Sequence, residues 1–268
     1  MTDIHDIPAS VQEEIRSQLA AIAIEEHVTI FFACESGSRA WGFESTNSDY
    51  DVRFIYRHVE DWYLSIDVER KRDVIERPIN DDLDVSGWDL RKALQLMRKS
   101  NPPLLEWLGS PIVYTEIQPF TDDLRALSKP FYSPRACLHH YLSMAKGNIR
   151  EYLKGDQVRR KKYLYVLRPL LAVRWIEKHE TMPPTEFDTL VEAVVEESAL
   201  EGAIKELVEQ KRQGQELDWG PRIPVLSGFI DAEMDRHAKN LVDVPISTAN
   251  PDALNLFFRD VVSGRLSS

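Results

Sequence analysis

Two kinds of hydrophobic spacing follow one another along this chain, and the change between them divides it. In residues 11–23 the apolar side chains Ile15, Leu19 and Ile22 recur at helical intervals, which predicts an amphipathic first helix. Residues 28–34 form a short apolar run with the length and composition of a strand. Residues 51–56 predict a second strand, and residues 63–66 with Val74 and Ile75 predict short edge elements. A further strand is expected over residues 83–88. It runs into a helix that begins near Asp89 and stops by Asn101-Pro102, because the residue before a proline is pushed out of the helical region. Ile112, Val113 and Tyr114 predict one more strand. From about Ser133 the periodicity is helical: residues 138–153, 161–179, 185–213 and 251–262, the last followed by Gly264. Pro183-Pro184 and Trp219-Gly220-Pro221 punctuate these helices, and there is no internal repeat or low-complexity tract. The expected fold class is α+β, a mixed front followed by a helical rear. One domain is expected over residues 1–125 and a helical domain over 126–268, with the boundary in the neighbourhood of Thr121 to Pro134.

The candidate chemistry lies where the first predicted strand ends and the second begins. Phe31-Phe32-Ala33-Cys34-Glu35-Ser36-Gly37-Ser38-Arg39 runs from apolar residues into a Gly-Ser turn, and Asp49 and Asp51 open the next apolar run. Residues two apart on a strand point to one face, so the two carboxylates are expected to converge. Such a pair suits Mg²⁺ (or Mn²⁺), a hard cation held by one or two carboxylates and by the phosphates of its substrate. Gly37 permits close backbone approach, and free N–H groups with the Ser38 hydroxyl offer donors to phosphate oxygens. Asp-x-Asp alone is most often a solvated turn. Its combination with the Gly-Ser turn, through the turn-forming Asn47-Ser48, points instead to a clamp for a triphosphate. Arg39 is placed either to meet a phosphate or to stand as a surface cation. Arg53 shares the carboxylate face of a regular strand and either pairs with the carboxylates or contacts phosphate. Trp41 and Phe43 either wall a base or pack as core.

The order Gly-Ser, connector, Asp-x-Asp resembles the active-site signature of the DNA polymerase beta-like nucleotidyltransferase superfamily. The wider string Glu35-Ser36-Gly37-Ser38-Arg39-Ala40-Trp41-Gly42-Phe43-Glu44-Ser45, with Ser48-Asp49-Tyr50-Asp51-Val52-Arg53, resembles a narrower branch. That branch is the predicted nucleotidyltransferases of bacteria and phages associated with RNA ligases. Leu83-Asp84-Val85-Ser86-Gly87-Trp88-Asp89-Leu90-Arg91-Lys92-Ala93-Leu94, then Ser100-Asn101-Pro102 and Glu106-Trp107-Leu108-Gly109-Ser110-Pro111, resemble it too. By motif the likeness covers residues 30–115, and more loosely 161–170. It implies an N-terminal polymerase-beta-like domain, a small mixed sheet flanked by helices, followed by an α-helical domain. It also implies a third carboxylate on a neighbouring strand that completes the metal site or helps deprotonate the attacking hydroxyl. Asp84 is the expected residue. Asp89 reads more simply as helix-start stabilisation, and Asp81 and Asp82 as loop residues. On this likeness Asp49, Asp51 and Asp84 are the expected catalytic and metal-holding residues, and Gly37, Ser38 and Arg39 bind substrate. The implied reaction moves a nucleoside monophosphate from an NTP to an acceptor hydroxyl, with an RNA or tRNA end as the expected acceptor and an RNA ligase or repair protein as the expected partner. Two other outcomes are kept: a nucleotide- or RNA-binding module without turnover, and protein nucleotidylation of the AMPylation type.

Composition fits this reading. At 268 residues, with 43% hydrophobic and 29% charged residues, the chain has globular composition and length enough for two domains. No apolar stretch approaches the roughly 18–20 residues that span a bilayer. The start, Met1-Thr2-Asp3-Ile4-His5-Asp6, lacks the basic-then-apolar order of a secretory signal, so the expected location is cytoplasmic and no membrane partner is expected. Cys34 and Cys137 are far apart and outside any Cys-x-x-Cys pair, which leaves a disulfide scaffold or zinc knuckle unsupported. Cys34 is expected to be a small buried residue. A net charge of −11 argues against a surface that grips nucleic acid everywhere, yet the charge is unevenly placed. Between Lys146 and Lys178 ten basic residues face three acidic ones, and between Glu180 and Asp218 eleven acidic residues face three basic ones. Lys161 and Lys162, in the basic stretch, are expected to bind substrate phosphate or RNA backbone; the plainer alternative is a solvated helix face paired with the acidic segment. Tyr163 and Tyr165, among these cations, suit base stacking or core equally. His139-His140 point about 100° apart on a helix and are expected to be structural. Glu192, Glu196, Glu197 and Glu201 are expected on a solvated helix face.

Overall fold

A computed structural model describes residues 7–79, 82–214, 219–239 and 249–265; Asp81 and residues 1–6 lie outside them. In chain order the elements are α1 (Ala9–Glu25), β1 (Thr29–Ser36), α2 (Gly37–Trp41), β2 (Tyr50–Arg57), α3 (Glu60–Tyr63), β3 (Val74–Glu76) and β4 (Leu83–Asp89). There follow α4 (Leu90–Arg98), α5 (Pro102–Leu108), β5 (Val113–Glu116), α6 (Phe120–Phe131), α7 (Pro134–Tyr152), β6 (Gln157–Arg159) and α8 (Lys162–His179). The chain closes with α9 (Phe187–Val194), α10 (Ser198–Arg212), β7 (Trp219–Pro221), α11 (Pro224–Lys239) and α12 (Asp252–Val262). None of the helices is long and apolar enough to cross a membrane, among the described residues.

Contacts group these elements into two compact units. One comprises Met1–Ala40, Asp49–Tyr132 and Ser247–Ser268, and the other Trp41–Ser48 and Ser133–Ile246. The expected division after residue 125 therefore falls inside α6, whose Phe120, Leu124 and Phe131 are buried in the core of the first unit. The last helix also departs from the expected linear split. Leu254, Phe257 and Val261 of α12, one helical stripe, are buried in that same core rather than with the other rear helices.

The first unit is the α+β body expected from the hydrophobic pattern. Its sheet has the order β3-β4-β2-β1-β5, antiparallel except for the parallel pair β2–β4. Strand alternation sends Val52, Phe54 and Tyr56 of β2 to one face, where α1 covers them with Ile15, Leu19 and Ile22. Ile55 points to the other face, among Leu90, Ala93, Leu94 and Met97 of α4 and Phe120 of α6. Asp51 and Arg53 share the face of Ile55 by the same alternation, and Asp84 shares the face of Trp88 on β4. Gly87 pairs with Phe54 in the parallel ladder, and a Cβ there would lie 2.2 Å from the Phe54 ring, so the bare Cα makes room for it.

Local signals explain the boundaries. Asp89 closes β4 and caps α4, its Oδ1 accepting the Arg91 N–H at 2.8 Å, which matches the helix-start role expected of it. Ser100 at φ +51 ends that helix, and the Asn101 carboxamide with Pro102 starts α5. The strand-like reading of residues 63–66 is overturned. Glu60–Tyr63 is a helical turn, anchored by the Tyr63 hydroxyl donating to Asp89 Oδ2 at 2.6 Å, whereas Val74 and Ile75 do lie on an edge strand.

Burial pushes the fully buried Asp89 carboxyl from its usual 3.8 up to about 6, against the hydrogen bonds from Tyr63 and Arg91. A carboxyl whose pKa rises on folding stabilises most below its unfolded value, and that contribution fades as pH climbs through the folded one. Asp89→Asn, which keeps a cap but cannot ionise, is thus expected to gain on wild type as pH rises from 3.8 to about 6. Urea unfolding of both proteins across that window checks the difference; parallel curves would contradict it.

The second unit is helical with a small β6–β7 ribbon. Trp219-Gly220-Pro221, expected as punctuation, is a strand pairing with Gln157–Arg159. The single helix expected over 185–213 is two. Lys178 and Arg174, both on α8, donate to the carbonyls of Ala193 and Val194, and these cations satisfy the end of α9 while Val195 and Glu197 turn extended. Glu192, Glu196, Glu197 and Glu201 therefore do not share one helix face.

Candidate active site

The turn at the end of β1 forms because Gly37 adopts φ +62, a left-handed conformation that glycine enters without a Cβ penalty. The chain passes directly into α2, where Ser38 is buried. Beside this turn β2 begins. Ser36 faces Asp51 across the antiparallel ladder, and Asp51 faces Asp84 across the parallel one. A Cβ on residue 37 would lie 2.0 Å from Asp51 Oδ2, so the carboxylate occupies the space that a side chain would fill. The structure thereby brings together Gly37, Asp51 and Asp84, residues from three separate stretches of sequence.

Asp49 stands one residue before β2, so strand alternation does not itself align it with Asp51. Its charge nevertheless acts on Asp51. Burial raises the Asp51 carboxyl above its usual range, Arg53 opposes that rise, and the negative charges of Asp84 and Asp49 add to it. Arg39 ties α2 to the start of β2: its Nε donates to the Asp49 carbonyl at 3.2 Å, and its guanidinium lies 3.7 Å from the centre of the Tyr50 ring.

Two further residues organise the site: Glu35, for which the sequence offered no role, and Arg53, which was expected on the carboxylate face. Glu35 is fully buried at the end of β1, where its Oε1 accepts the Asp51 N–H at 2.8 Å and its Oε2 accepts the Tyr114 hydroxyl. Burial pushes this carboxyl up to about 7, against both hydrogen bonds. Its signal in the sequence was a carboxylate adjoining an apolar strand, just ahead of the Gly-Ser turn. Arg53 is the second. Its Nη2 lies 3.0 Å from Asp51 Oδ1 and 2.7 Å from Asp84 Oδ2, so one guanidinium bridges both carboxylates.

The oxygen donors of Asp49, Asp51 and Asp84 have the hardness that Mg²⁺ prefers, and the missing Cβ of Gly37 makes room for the Asp51 carboxylate. Among the described residues no three His, Cys, Asp or Glu side chains converge as a ready-made metal cage. What converges is two carboxylates and a guanidinium.

Lys161 and Lys162 belong to the second unit, at the start of α8. Within that unit Lys162 Nζ lies 4.5 Å from the ring centres of both Tyr152 and Tyr165. Lys211, one of the three cations in the acidic segment, points its Nζ at Phe43 (4.6 Å) and Tyr165 (5.6 Å). Burial lowers its pKa to about 8; Glu44 opposes the shift, while Lys161 and Lys162 reinforce it. Trp41 and Phe43 pack edge-on against Tyr165, and the buried Arg168 covers Trp41 at 4.4 Å. The expected core role of these aromatics and the expected gathering of cations are here one cluster.

Comparison with known proteins relates the chain to others. The model of the RNA repair pathway DNA polymerase beta family (RlaP) matches residues 11–260. An uncharacterized protein of Bacillus subtilis strain 168, YcgL, is 51% identical over 226 residues, which make up 84% of this chain and 86% of that protein. The crystal structure of a nucleotidyltransferase-like protein from Exiguobacterium sibiricum 255-15 aligns with 95% of this chain and 80% of its own at 13% identity and a TM-score of 0.35. The family match runs from α1 to α12 and takes in the Gly-Ser turn, the aspartates and the basic helix alike: this chain belongs to the RNA repair pathway DNA polymerase beta family of nucleotidyltransferases.

Proposed function

We propose that the protein is a Mg²⁺-dependent (or Mn²⁺-dependent) nucleotidyltransferase that moves a nucleoside monophosphate from an NTP to the hydroxyl of an RNA or tRNA end. The observation that carries this reading is the parallel register of Asp51 with Asp84 beside the bare Cα of Gly37. Asp49, Asp51 and Asp84 would hold Mg²⁺, which supplies charge to the triphosphate oxygens during in-line attack on the α-phosphate and release of pyrophosphate. The chain's own residues do the rest. Asp84 accepts the proton of the attacking hydroxyl, Ser38 and the N–H groups of the turn donate to phosphate oxygens, and Arg39 adds a fixed positive charge. Glu35 fixes the second residue of β2 through the Asp51 N–H. Lys161 and Lys162 bind substrate phosphate or RNA backbone. The RNA acceptor is supported by the family's description and by the basic run from Lys146 to Lys178. An RNA ligase or repair protein is the fitting partner, and the cytoplasm the fitting location.

The test is to incubate the purified protein with each α-labelled ribonucleoside triphosphate, Mg²⁺ or Mn²⁺, and total cellular RNA, with Asp49→Ala/Asp51→Ala in parallel. Label on RNA with wild type alone supports the reading and identifies the nucleotide. Label on protein overturns the acceptor in favour of protein nucleotidylation. Tight triphosphate binding without any transfer overturns turnover and leaves a binding module.

A further inference from the structure

We propose that Arg53 is an exchangeable counter-ion that makes divalent-cation binding at Asp51 and Asp84 conditional on the arrival of a triphosphate. The inference rests on the nucleotidyltransferase reading of these carboxylates and assigns a role to a residue outside the aspartate set.

The guanidinium is held at four points. Nη2 meets Asp51 Oδ1 and Asp84 Oδ2 at 3.0 and 2.7 Å, while Nη1 donates to the carbonyls of Asp84 and Val52 at 2.8 and 3.1 Å. The two halves of this grip differ in kind. Nη1 is anchored on backbone, which a change of ligand leaves in place. Nη2 is paired only with the two side-chain carboxylates, which are the groups a metal would need.

Competition follows from charge. The Arg53 side chain is 18% exposed and its partners 29% and 32%, so the three charges interact with limited screening. One positive charge lies between two negative ones. A divalent cation entering beside the guanidinium meets repulsion from it and finds one oxygen of each carboxylate already engaged. A triphosphate changes this balance, because its oxygens match the planar fork of arginine and give Nη2 a new partner. Freed carboxylate oxygens then accept the cation. Cation and triphosphate therefore bind cooperatively, and linkage requires each to strengthen the other by the same factor.

The experiment uses Mn²⁺ as the probe, with the full chain and binding read by electron paramagnetic resonance rather than by turnover. Nucleotide-free wild type is expected to bind Mn²⁺ weakly. Arg53→Gln, which removes the guanidinium bridging the two carboxylates, is expected to bind it about tenfold more tightly. Affinity for a fluorescent, non-hydrolysable triphosphate is expected to rise about tenfold with Mn²⁺ in wild type and far less in Arg53→Gln. Arg53→Lys, which keeps the charge but loses the fork, is expected to fall between them and serves if the glutamine variant does not fold. Asp51→Asn separates the two levels of argument. If it weakens Mn²⁺ binding while Arg53→Gln leaves it unchanged, Arg53 is a static clamp and the proposal falls alone. If Asp51→Asn has no effect on Mn²⁺ binding, the metal-site reading falls with it. Tight Mn²⁺ binding by nucleotide-free wild type that a triphosphate does not alter also overturns the proposal.

Discussion

Asp51→Asn is expected to lower nucleotidyl transfer by about a thousandfold or more, equivalent to about 4 kcal/mol of transition-state stabilisation. Gly37 and Arg53 Nη2 meet this carboxylate, and Asp84 stands opposite residue 51 in the parallel ladder. Asparagine keeps the shape and removes the charge, so the loss reports the carboxylate's part in the proposed binding of cation and triphosphate. The fold has little at stake. The hydrogen bond to Glu35 comes from the backbone N–H of residue 51, and the lost ion pair is partly exposed, so unfolding free energy should stay within about 1 kcal/mol of wild type. Label transfer onto RNA and urea unfolding measure the two sides of this prediction. Full transfer by a folded Asp51→Asn protein would reject the site.

Gly37→Ala is expected to cost about a hundredfold or more in transfer, because a displacement of about 1 Å in a reacting group is enough for a loss of that size. The added Cβ would stand 2.0 Å from Asp51 Oδ2, so the carboxylate must leave its position or the turn must open. Residue 37 also holds φ +62, where a side chain adds about 1–2 kcal/mol of strain. Some loss of stability therefore accompanies the loss of activity, unlike at Asp51. Because both substitutions act through one carboxylate, the double variant should transfer no more slowly than Asp51→Asn alone. A Gly37→Ala protein with wild-type transfer would show that the turn does not position Asp51.

Much of the first unit could be read from the sequence. Ile15, Leu19 and Ile22 marked α1 by helical spacing, Asp89 marked the start of α4, and Asn101-Pro102 marked its end, each within a few residues of the structure. These signals are local, since caps, prolines and amphipathic stripes act over one or two turns. Elements with weaker local signals were missed or misdrawn. The extra helices α5, α6 and α11 were not anticipated, and residues 185–213 were joined because their spacing stays helical across a break that cations from α8 stabilise. Of the candidate site, Gly37, Asp51 and Asp84 do come together, while Asp49 stands outside the strand that was to align it. Glu35 and Lys211 went unassigned because a buried carboxylate and a buried ammonium acquire their meaning from partners distant in the chain, Tyr114 and Tyr165 among them.

The sequence alone determined the α+β character of the chain, the order of its main elements and which side chains are candidates for phosphate and a hard cation, because periodicity, turn chemistry and side-chain type are properties of short segments. Tertiary structure decided what these residues face. The β2–β4 register sets Asp84 beside Asp51, Arg53 closes the gap between them, and α12 returns to the core of the first unit. Those outcomes depend on pairing and packing between segments far apart in the chain, where the energy of one contact depends on all the others that form with it.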